Sequence, residues 1–241
     1  MKFSEYLGRK YVHGVDLEND ILVHNLGVGQ GKMISTDFLG THDPGIRERH
    51  RRVATVPISE IATMAMDGNV LSPRLSKFFT FAAILESGRV VVDGYDRIWE
   101  ITDGQKRRIF ETRNLELAFE EGRRRFAPDS PSRLTCIWLA EDSPEGKGVI
   151  RWMMPNVYIA QARIDVATGY AEVDSSWFDA YLNSPKPEFI ERYWAGEAHP
   201  KEPRKEILVD GVVQLTDPAQ LQHIKESGAP LLKGKRYWRS T

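Results

Sequence analysis

The apolar and polar residues of this chain are spaced in two ways, one typical of strands and one typical of helices. Short apolar runs bounded by turn residues predict strands over 10–14, 19–26, 134–140 and 157–162. Apolar residues three or four positions apart predict helices over 57–66, 72–86, 114–125, 176–182 and 187–194.

Turn residues complete this prediction. The polar stretch 40–52, which contains Pro44-Gly45, predicts a loop. Hairpins are predicted over 90–101 and over 206–215, where Asp210-Gly211 separates two apolar runs. A last helix is predicted from Asp217 to about Glu226.

Helices cluster in the middle of the chain and strands lie toward its two ends, which predicts an α+β fold. No repeat, low-complexity tract or flexible linker divides the sequence. We therefore expect a single domain over 1–241, with a core over about 10–215 and a C-terminal helical appendage over about 216–241.

Composition and charge bear on whether the chain binds nucleic acid or a membrane. The chain has 33 basic and 34 acidic side chains, so its net charge of −1 gives no overall attraction to nucleic acid or membrane. No apolar run approaches the length of a membrane span, and the N-terminal residues lack the apolar segment of a signal peptide. We expect a soluble, cytoplasmic protein without a membrane partner.

Metal and nucleophile chemistry find little support in the sequence. The single cysteine, Cys136, lies in an apolar strand pattern and excludes multi-cysteine zinc sites and an internal disulfide. The six histidines do not adopt metal-ligand spacing, so no metal is expected. The glycine-rich segment 27–33 departs from a phosphate-binding loop, because Leu26 and Met33 replace its first glycine and its hydroxyl residue.

Arginines are concentrated in three segments of this nearly neutral chain, around 47–52, at 106–108 and at Arg123, Arg124 and Arg125. Cations near a helix C-terminus complement the helix dipole, and loop arginines are commonly solvated. Segregated positive charge can also hold a polyanion. Both interpretations remain open, and the second makes Arg123, Arg124 and Arg125 candidate acceptor-binding residues.

Two positions depart from their local pattern. At the end of the first predicted strand, His13 has a polar ring and Gly14 has no side chain. Glu206 begins an otherwise apolar strand. A glutamate at a strand start is commonly a solvated edge residue, so Glu206 alone indicates no chemistry.

The order of these segments along the chain resembles that of the ADP-ribosyltransferase superfamily. Tyr11–Gly14 resembles its early histidine-glycine motif, and Tyr193–Gly196 followed by 206–215 is similar to its late segment, where a catalytic glutamate opens a hairpin. The stretches 119–126 and 131–134 are similar to bacterial members that act as toxins or antiphage effectors, some of which modify RNA or DNA.

The resemblance implies a split β-sheet core with helical insertions and NAD as substrate, with no metal. Glu206 would be the catalytic residue, bonded to the 2′-hydroxyl of the nicotinamide ribose beside the developing positive charge. The backbone of Gly14 would bind the nicotinamide carboxamide, and a Cβ at this position would obstruct that close approach. His13 would orient the other ribose.

The resemblance also implies further NAD-binding residues. Ser132 and Arg133 would line the pocket, and Arg133 could bind the pyrophosphate or could pair with a nearby carboxylate. Tyr193 and Trp194 could stack on nicotinamide or a target base, or could pack in the core. Arg204 stands where arginine-modifying relatives have a second glutamate, so a protein-arginine acceptor is disfavoured.

The expected function is transfer of ADP-ribose from NAD to a macromolecule, with RNA or DNA favoured over protein. The alternatives are a non-catalytic nucleic-acid-binding protein and an NAD glycohydrolase. An uncontrolled transferase would harm its own cell, so a neutralising antitoxin protein is a further expected partner.

Overall fold

The computed structural model describes residues 6, 8–49, 51–67, 79, 81–87 and 101–234. The fold is α+β, as the sequence predicts. The chain divides into two compact units, each assembled from segments that are distant in sequence. The sheet unit comprises Met1–Ser35, Ile137–Ser176 and Gly196–Thr241, and the helical unit comprises Thr36–Cys136 and Trp177–Ala195.

Five strands and ten α-helices are found in the described chain, with five of the helices in succession between the second and third strands. The strands are β1 (Tyr11–Val15), β2 (Lys32–Ile34), β3 (Ile137–Glu141), β4 (Tyr158–Asp174) and β5 (Lys205–Leu215). The helices are α1 (Asp20–Val28), α2 (Thr36–His42), α3 (Pro44–Arg49), α4 (Ile61–Met66), α5 (Phe81–Glu86), α6 (Asp103–Phe126), α7 (Pro144–Met153), α8 (Ser175–Asn183), α9 (Pro187–Trp194) and α10 (Pro218–Gly234). Two 3₁₀ turns, Val53–Thr55 and Ile58–Glu60, precede α4.

The sheet unit is built on one antiparallel sheet with the strand order β2-β5-β3-β1-β4. The 17-residue β4 pairs with β1 at its start and with β5 along the rest of its length. Register shifts near Ile164 and Ala167 allow β4 to bend between these two partners. The β4–β5 pairing closes the sheet on itself, so β5 is bonded along both edges.

One face of the closed sheet carries the main hydrophobic core. Tyr11, Leu139, Ala160 and Ile207 contribute to it from four strands. The C-terminal helix α10 adds the fully buried Ile224, so this predicted appendage packs into the core. On the opposite face, a smaller cluster of Val12, Ala140 and Ile150 joins β1 and β3 to α7.

The 24-residue α6 dominates the helical unit. Its start is fixed by a capping box, in which the Thr102 side chain accepts from the Gln105 backbone and the Gln105 side chain accepts from the Thr102 backbone. Near its other end, α6 packs against α9. A separate hydrophobic cluster includes Val53, Val56, Ile61, Phe79 and Leu134.

Most of the predicted elements are confirmed. The strand predicted over 10–14 is β1, and the helices predicted over 176–182 and 187–194 are α8 and α9. The strand prediction for 134–140 overlaps β3, while β4, α6 and α10 are longer than predicted. The start of the helix predicted over 72–86 and nearly all of the hairpin predicted over 90–101 lie outside the described residues.

The strand predicted over 19–26 is wrong, because this segment forms α1. The Asn19 side chain caps the helix by accepting a hydrogen bond from the backbone N–H of Leu22 at 3.0 Å. Val23 and Leu26 are buried three residues apart on one side. The apolar run therefore follows a helical period, which is hard to distinguish from a buried strand over so few residues.

The loop predicted over 40–52 is also largely wrong. Helices α2 and α3 occupy much of it. Asp43 caps α3, since its Oδ1 accepts from the backbone N–H of Ile46 at 3.0 Å, and Pro44 occupies the first turn. The proline read as a turn signal thus starts a helix. The sequence prediction also missed α7, whose cap is Ser143.

The hairpin predicted over 206–215 is wrong, because β5 runs without a turn from Lys205 to Leu215. Gly211 has a φ of 155°, and a Cβ there would lie 2.0 Å from the carbonyl oxygen of Val166. Asp210 accepts hydrogen bonds from Thr168 Oγ1 at 2.8 Å and from Ser35 Oγ. Asp210-Gly211 therefore permits close passage of β4 rather than a reversal of the chain.

Among the described helices, none is long and apolar enough to cross a membrane.

Gly122 provides a test of the α6–α9 packing. A Cβ at Gly122 would lie 2.1 Å from Cγ2 of Ile190. We predict that Gly122→Ala lowers the free energy of unfolding by about 1–3 kcal/mol, because the buried Ile190 side chain on α9 must shift to admit the new methyl group. Gly148→Ala is the control, since nothing lies within 4 Å of its new methyl group. Urea unfolding measures both, and equal stability of the two variants would contradict this packing.

Candidate functional site

Glu206 is the second residue of β5 and is fully buried, with 0% of its surface exposed. Ile207 and Val209 belong to the main core, so strand alternation directs Glu206 to the opposite face of the sheet, together with Leu208. The solvated-edge alternative for Glu206 is therefore wrong. The carboxylate lies in a low-dielectric environment, where its interaction with a cation is strengthened.

The strand register relates Glu206 to the N-terminal motif. Val12 pairs with Ala140, and Leu139 pairs with Ile207. Continuing this register by one residue places Glu206 in the row of Ala140 and Val12. Two strand spacings separate Glu206 from Val12, a distance of about 10 Å. Gly14, two residues further along β1, shares this face.

His13 lies on the other face of the sheet. Its neighbours on β1 at alternate positions, Tyr11 and Val15, both belong to the main core. Nδ1 of His13 donates to the carbonyl oxygen of Trp138 at 2.8 Å. Burial lowers the pKa of His13 and outweighs the raising effect of this bond, so the imidazole is neutral at pH 7. The structure thus does not bring His13 and Glu206 together on one face.

Gly14 allows close packing between β1 and the segment that contains α7. A Cβ at Gly14 would lie within 2.8–2.9 Å of side-chain atoms of Met154, Ile150 and Val157. These three side chains therefore occupy the space beside its α-carbon. Packing is a sufficient reason for a glycine at this position, and its contact with nicotinamide stays a prediction.

The predicted NAD-binding residues Ser132, Arg133, Tyr193 and Trp194 belong to the helical unit, and each is buried there. Arg133 donates to Glu116 at 3.1 and 3.3 Å and to the hydroxyl of Tyr193. Its guanidinium carbon lies 4.3 Å from the centre of the Phe178 ring. This geometry matches the carboxylate-pairing alternative for Arg133.

Ser132 and Trp194 have structural partners as well. Ser132 Oγ donates to Glu120 at 2.8 Å, and Trp194 Nε1 donates to the backbone carbonyl of Phe119 at 2.9 Å. The Tyr193 ring meets Phe119 edge to face at 5.0 Å. The core-packing alternative therefore describes Tyr193 and Trp194, and their roles toward NAD stay predictions.

The three arginines at the end of α6 differ in their surroundings. Arg123 is buried and donates to both carboxylate oxygens of Glu120, at 3.0 and 2.8 Å. Arg124 donates to Glu120 at 3.0 Å and to the carbonyl oxygens of Val53 and Val56, both at 2.8 Å. Arg125 is exposed. The geometry favours structural roles for Arg123 and Arg124 and leaves Arg125 in contact with solvent.

The segment that leads into β5 is held by Asp174, which the sequence prediction missed. Oδ1 of Asp174 accepts from the backbone N–H groups of Ser176 at 2.9 Å and Arg204 at 3.0 Å. Its Oδ2 accepts from the backbone N–H of His199 at 2.8 Å. One buried carboxylate therefore fixes the course of the chain just before Glu206. Aspartate in a strand gives no sequence signal for this role.

A cleft of about 520 Å³ in the sheet unit was also missed by the sequence prediction. Its lining residues include Tyr6, Arg9, Tyr11 and Arg163.

Glu172 contacts Arg9, one of the lining residues of this cleft. It accepts hydrogen bonds from Tyr170 at 2.8 Å and from Arg9 at 2.6 Å, and it forms an ion pair with Lys205 at 3.0 Å. Burial tends to raise the pKa of Glu172, but these partners outweigh burial and lower it.

The buried ion pair at the end of α6 yields a stability test. Replacing Arg123 by Met leaves Glu120 without its bidentate partner, so we predict that Arg123→Met lowers the free energy of unfolding by about 3–5 kcal/mol. The exposed neighbour provides the control, and Arg125→Met should change stability by less than about 0.5 kcal/mol. Unaltered urea unfolding of Arg123→Met would contradict the structural role and favour acceptor binding.

Glu172 yields a pH prediction. Because its folded pKa lies below the usual 4.5, its ionised form stabilises the fold above that pH, and the contribution is lost as pH falls through the lowered pKa. Glu172→Gln should lower the free energy of unfolding by about 1–2 kcal/mol near pH 7. This destabilisation should be smaller near pH 3, where more of the Glu172 carboxylate is protonated in the unaltered chain. Urea unfolding at both pH values measures this, with the exposed Glu18→Gln as control. A loss that persists at the lower pH would contradict the charge effect.

Comparison with known proteins identifies a family for this chain. No curated protein matches the sequence. A family model described as "Protein of unknown function (DUF2441)" matches residues 94–226, more than half of the chain. The match includes Glu206, Asp174 and Arg123, whereas His13 and Gly14 lie outside it. The chain therefore belongs to the DUF2441 family.

Proposed function

We propose that this protein transfers ADP-ribose from NAD to a macromolecular acceptor, with nucleic acid favoured over protein. The bond between the nicotinamide nitrogen and the ribose anomeric carbon breaks, and its electron pair leaves with neutral nicotinamide. A nucleophilic atom of the acceptor then bonds to the anomeric carbon and releases its proton to solvent. NAD and acceptor thus give ADP-ribosyl acceptor, nicotinamide and a proton.

The burial of Glu206 is the observation that carries this proposal. Removing a carboxylate from water costs several kcal/mol unless its surroundings compensate for it, so an acidic residue is an unusual choice for a buried strand position. A buried carboxylate interacts strongly with a positive charge that develops nearby. The burial of Glu206 therefore supports a catalytic role for it.

The chemistry of NAD cleavage needs a group of this kind. Positive charge develops on the ribose as nicotinamide departs, through a transition state like that of glycoside cleavage. A fixed anion in a site that excludes water stabilises this charge more strongly than a solvated anion does. The resemblance to ADP-ribosyltransferases assigns this role to Glu206, at the start of an apolar strand.

The burial of Glu206 adds a condition to this proposal. Because no part of Glu206 is exposed, NAD reaches it only when residues that cover the carboxylate move. His13 projects from the opposite face, so the proposal assigns bond cleavage to Glu206 alone. Contacts of NAD with His13, Gly14, Ser132, Arg133, Tyr193 and Trp194 remain predictions from the resemblance.

Exposed arginines support a nucleic-acid acceptor. Among the side chains of the helical unit that the structure describes, the exposed arginines of the three basic segments are Arg47, Arg51, Arg107, Arg108 and Arg125. Exposed guanidinium groups bind phosphates through charge and paired hydrogen bonds. Arg204 at the second position before Glu206 also disfavours an arginine side chain as acceptor, because two guanidinium groups repel each other.

Activity measurements with Glu206→Gln test the proposal. The purified protein is incubated with NAD labelled in its adenosine half, together with total RNA, DNA or protein from a lysate. We predict labelled nucleic acid and released nicotinamide for the unaltered chain, and at least a 100-fold lower rate for Glu206→Gln. The control is Glu202→Gln, an exposed glutamate of the preceding segment, which should retain activity.

The products separate this function from its alternatives. Nicotinamide release without a labelled macromolecule would indicate an NAD glycohydrolase. Nucleic-acid binding without cleavage of NAD would indicate a non-catalytic binding protein. Circular dichroism shows whether Glu206→Gln retains the fold, and near-normal turnover by a folded Glu206→Gln variant would contradict the assignment.

A further inference from the structure

Trp152 is an exposed aromatic residue of the sheet unit. It lies in the last turn of α7, and 48% of it is exposed. The guanidinium carbon of Arg204 lies 3.7 Å from the centre of its ring system. This short distance places the guanidinium against one face of the indole. Nearly half of the residue is exposed beside this contact, and exposed indole surface can contact another planar group.

Arg204 is held in place rather than free to rotate. Its Nε donates to Ser176 Oγ at 2.8 Å, and its backbone N–H donates to Asp174 at 3.0 Å. The carbonyl oxygen of Arg204 accepts from the backbone N–H of Ser175 at 2.9 Å. Little side-chain entropy is therefore lost when a ligand contacts the Arg204–Trp152 pair.

Strand geometry relates the Arg204–Trp152 pair to Glu206. Side chains two residues apart in an extended chain project to the same side, about 7 Å apart along the strand. Arg204 directly precedes β5, so it leads onto the face of the sheet that carries Glu206. The helix α7 that bears Trp152 packs on this same face through Ile150. A group bound on Trp152 would thus lie near the carboxylate proposed to cleave NAD.

We infer that the Arg204–Trp152 pair is a stacking platform for a base of a single-stranded nucleic-acid acceptor. Every nucleobase offers a flat aromatic face, and stacking on an aromatic side chain needs no particular sequence. Arg151 directly precedes Trp152, and Lys201 precedes Arg204 by three residues. Both are exposed cations, and cations near a bound base attract the phosphate backbone. The acceptor role of this platform rests on the proposed ADP-ribosyl transfer, whereas its binding of nucleic acid does not.

An unpaired strand fits this platform better than a duplex does. Bases within a duplex are stacked on one another, and exposing one face costs a few kcal/mol. A single strand presents its bases without that cost. The platform therefore predicts a preference for single-stranded over double-stranded nucleic acid of equal length.

Fluorescence anisotropy with a labelled single-stranded oligonucleotide, in the absence of NAD, tests the platform. Loss of one stacked base costs about 1–3 kcal/mol, so Trp152→Ala should raise Kd by roughly 5- to 150-fold. Trp152→Phe should retain most of the affinity because it keeps an aromatic face. Leu182→Ala is the control, since Leu182 is a similarly exposed apolar residue, 50% exposed, in the helical unit. Its Kd should equal that of the unaltered chain.

The outcomes distinguish this inference from the proposed function. An unchanged Kd for Trp152→Ala, equal losses for the Ala and Phe variants, or no binding by the unaltered chain would each overturn the platform. Absence of NAD cleavage alongside a Trp152-dependent Kd would overturn the proposed function and leave the platform standing. Urea unfolding confirms that each variant is folded before its Kd is compared.

Discussion

The long antiparallel pairing of β4 with β5 is the constraint on which the sheet unit depends. Because β4 bends from β1 onto β5, the sheet closes and β5 is bonded along both edges. Gly211 permits this crossing, since any side chain there would meet the backbone of β4. The closed sheet fixes the register that buries Glu206 and leaves Arg204 beside Trp152. Disrupting the crossing would therefore affect the core and the candidate site together.

The sequence predicted the elements whose signals are local. Helix α9 begins at a proline with the expected spacing of apolar residues, and its bounds match the prediction. The secondary-structure prediction failed where the same sequence pattern is compatible with two different structures. Asp210-Gly211 is a common sequence of hairpin turns. Here a glycine is required because the backbone of Val166, about 45 residues earlier, leaves no room for a Cβ. A contact between residues so far apart produces no local sequence pattern. The apolar run of α1 is likewise too short to separate a buried strand from a helix.

For the site, the sequence singled out Glu206 by its type and position but could not predict its burial. It could not assign Arg123 or Arg124 either, because their partners Glu120, Val53 and Val56 become neighbours only through folding. The buried arginines of the helical unit are thus explained by their bonds to carboxylates and carbonyl groups. For Glu206 we propose a catalytic role, which is the stabilisation of positive charge on a ribose. Trp152 had no sequence signal, since a tryptophan near a helix end is most often a core residue.

The most direct test of this account is a crystal structure of the Glu206→Gln protein with NAD, because the variant should bind the dinucleotide without cleaving it. The account predicts that the nicotinamide ribose lies within hydrogen-bond distance of the side chain at position 206, about 3 Å. Such a complex would also show which covering residues have moved to admit NAD. Density for NAD elsewhere, for example in the cleft bordered by Tyr6 and Tyr11, would contradict the role of Glu206 in cleavage.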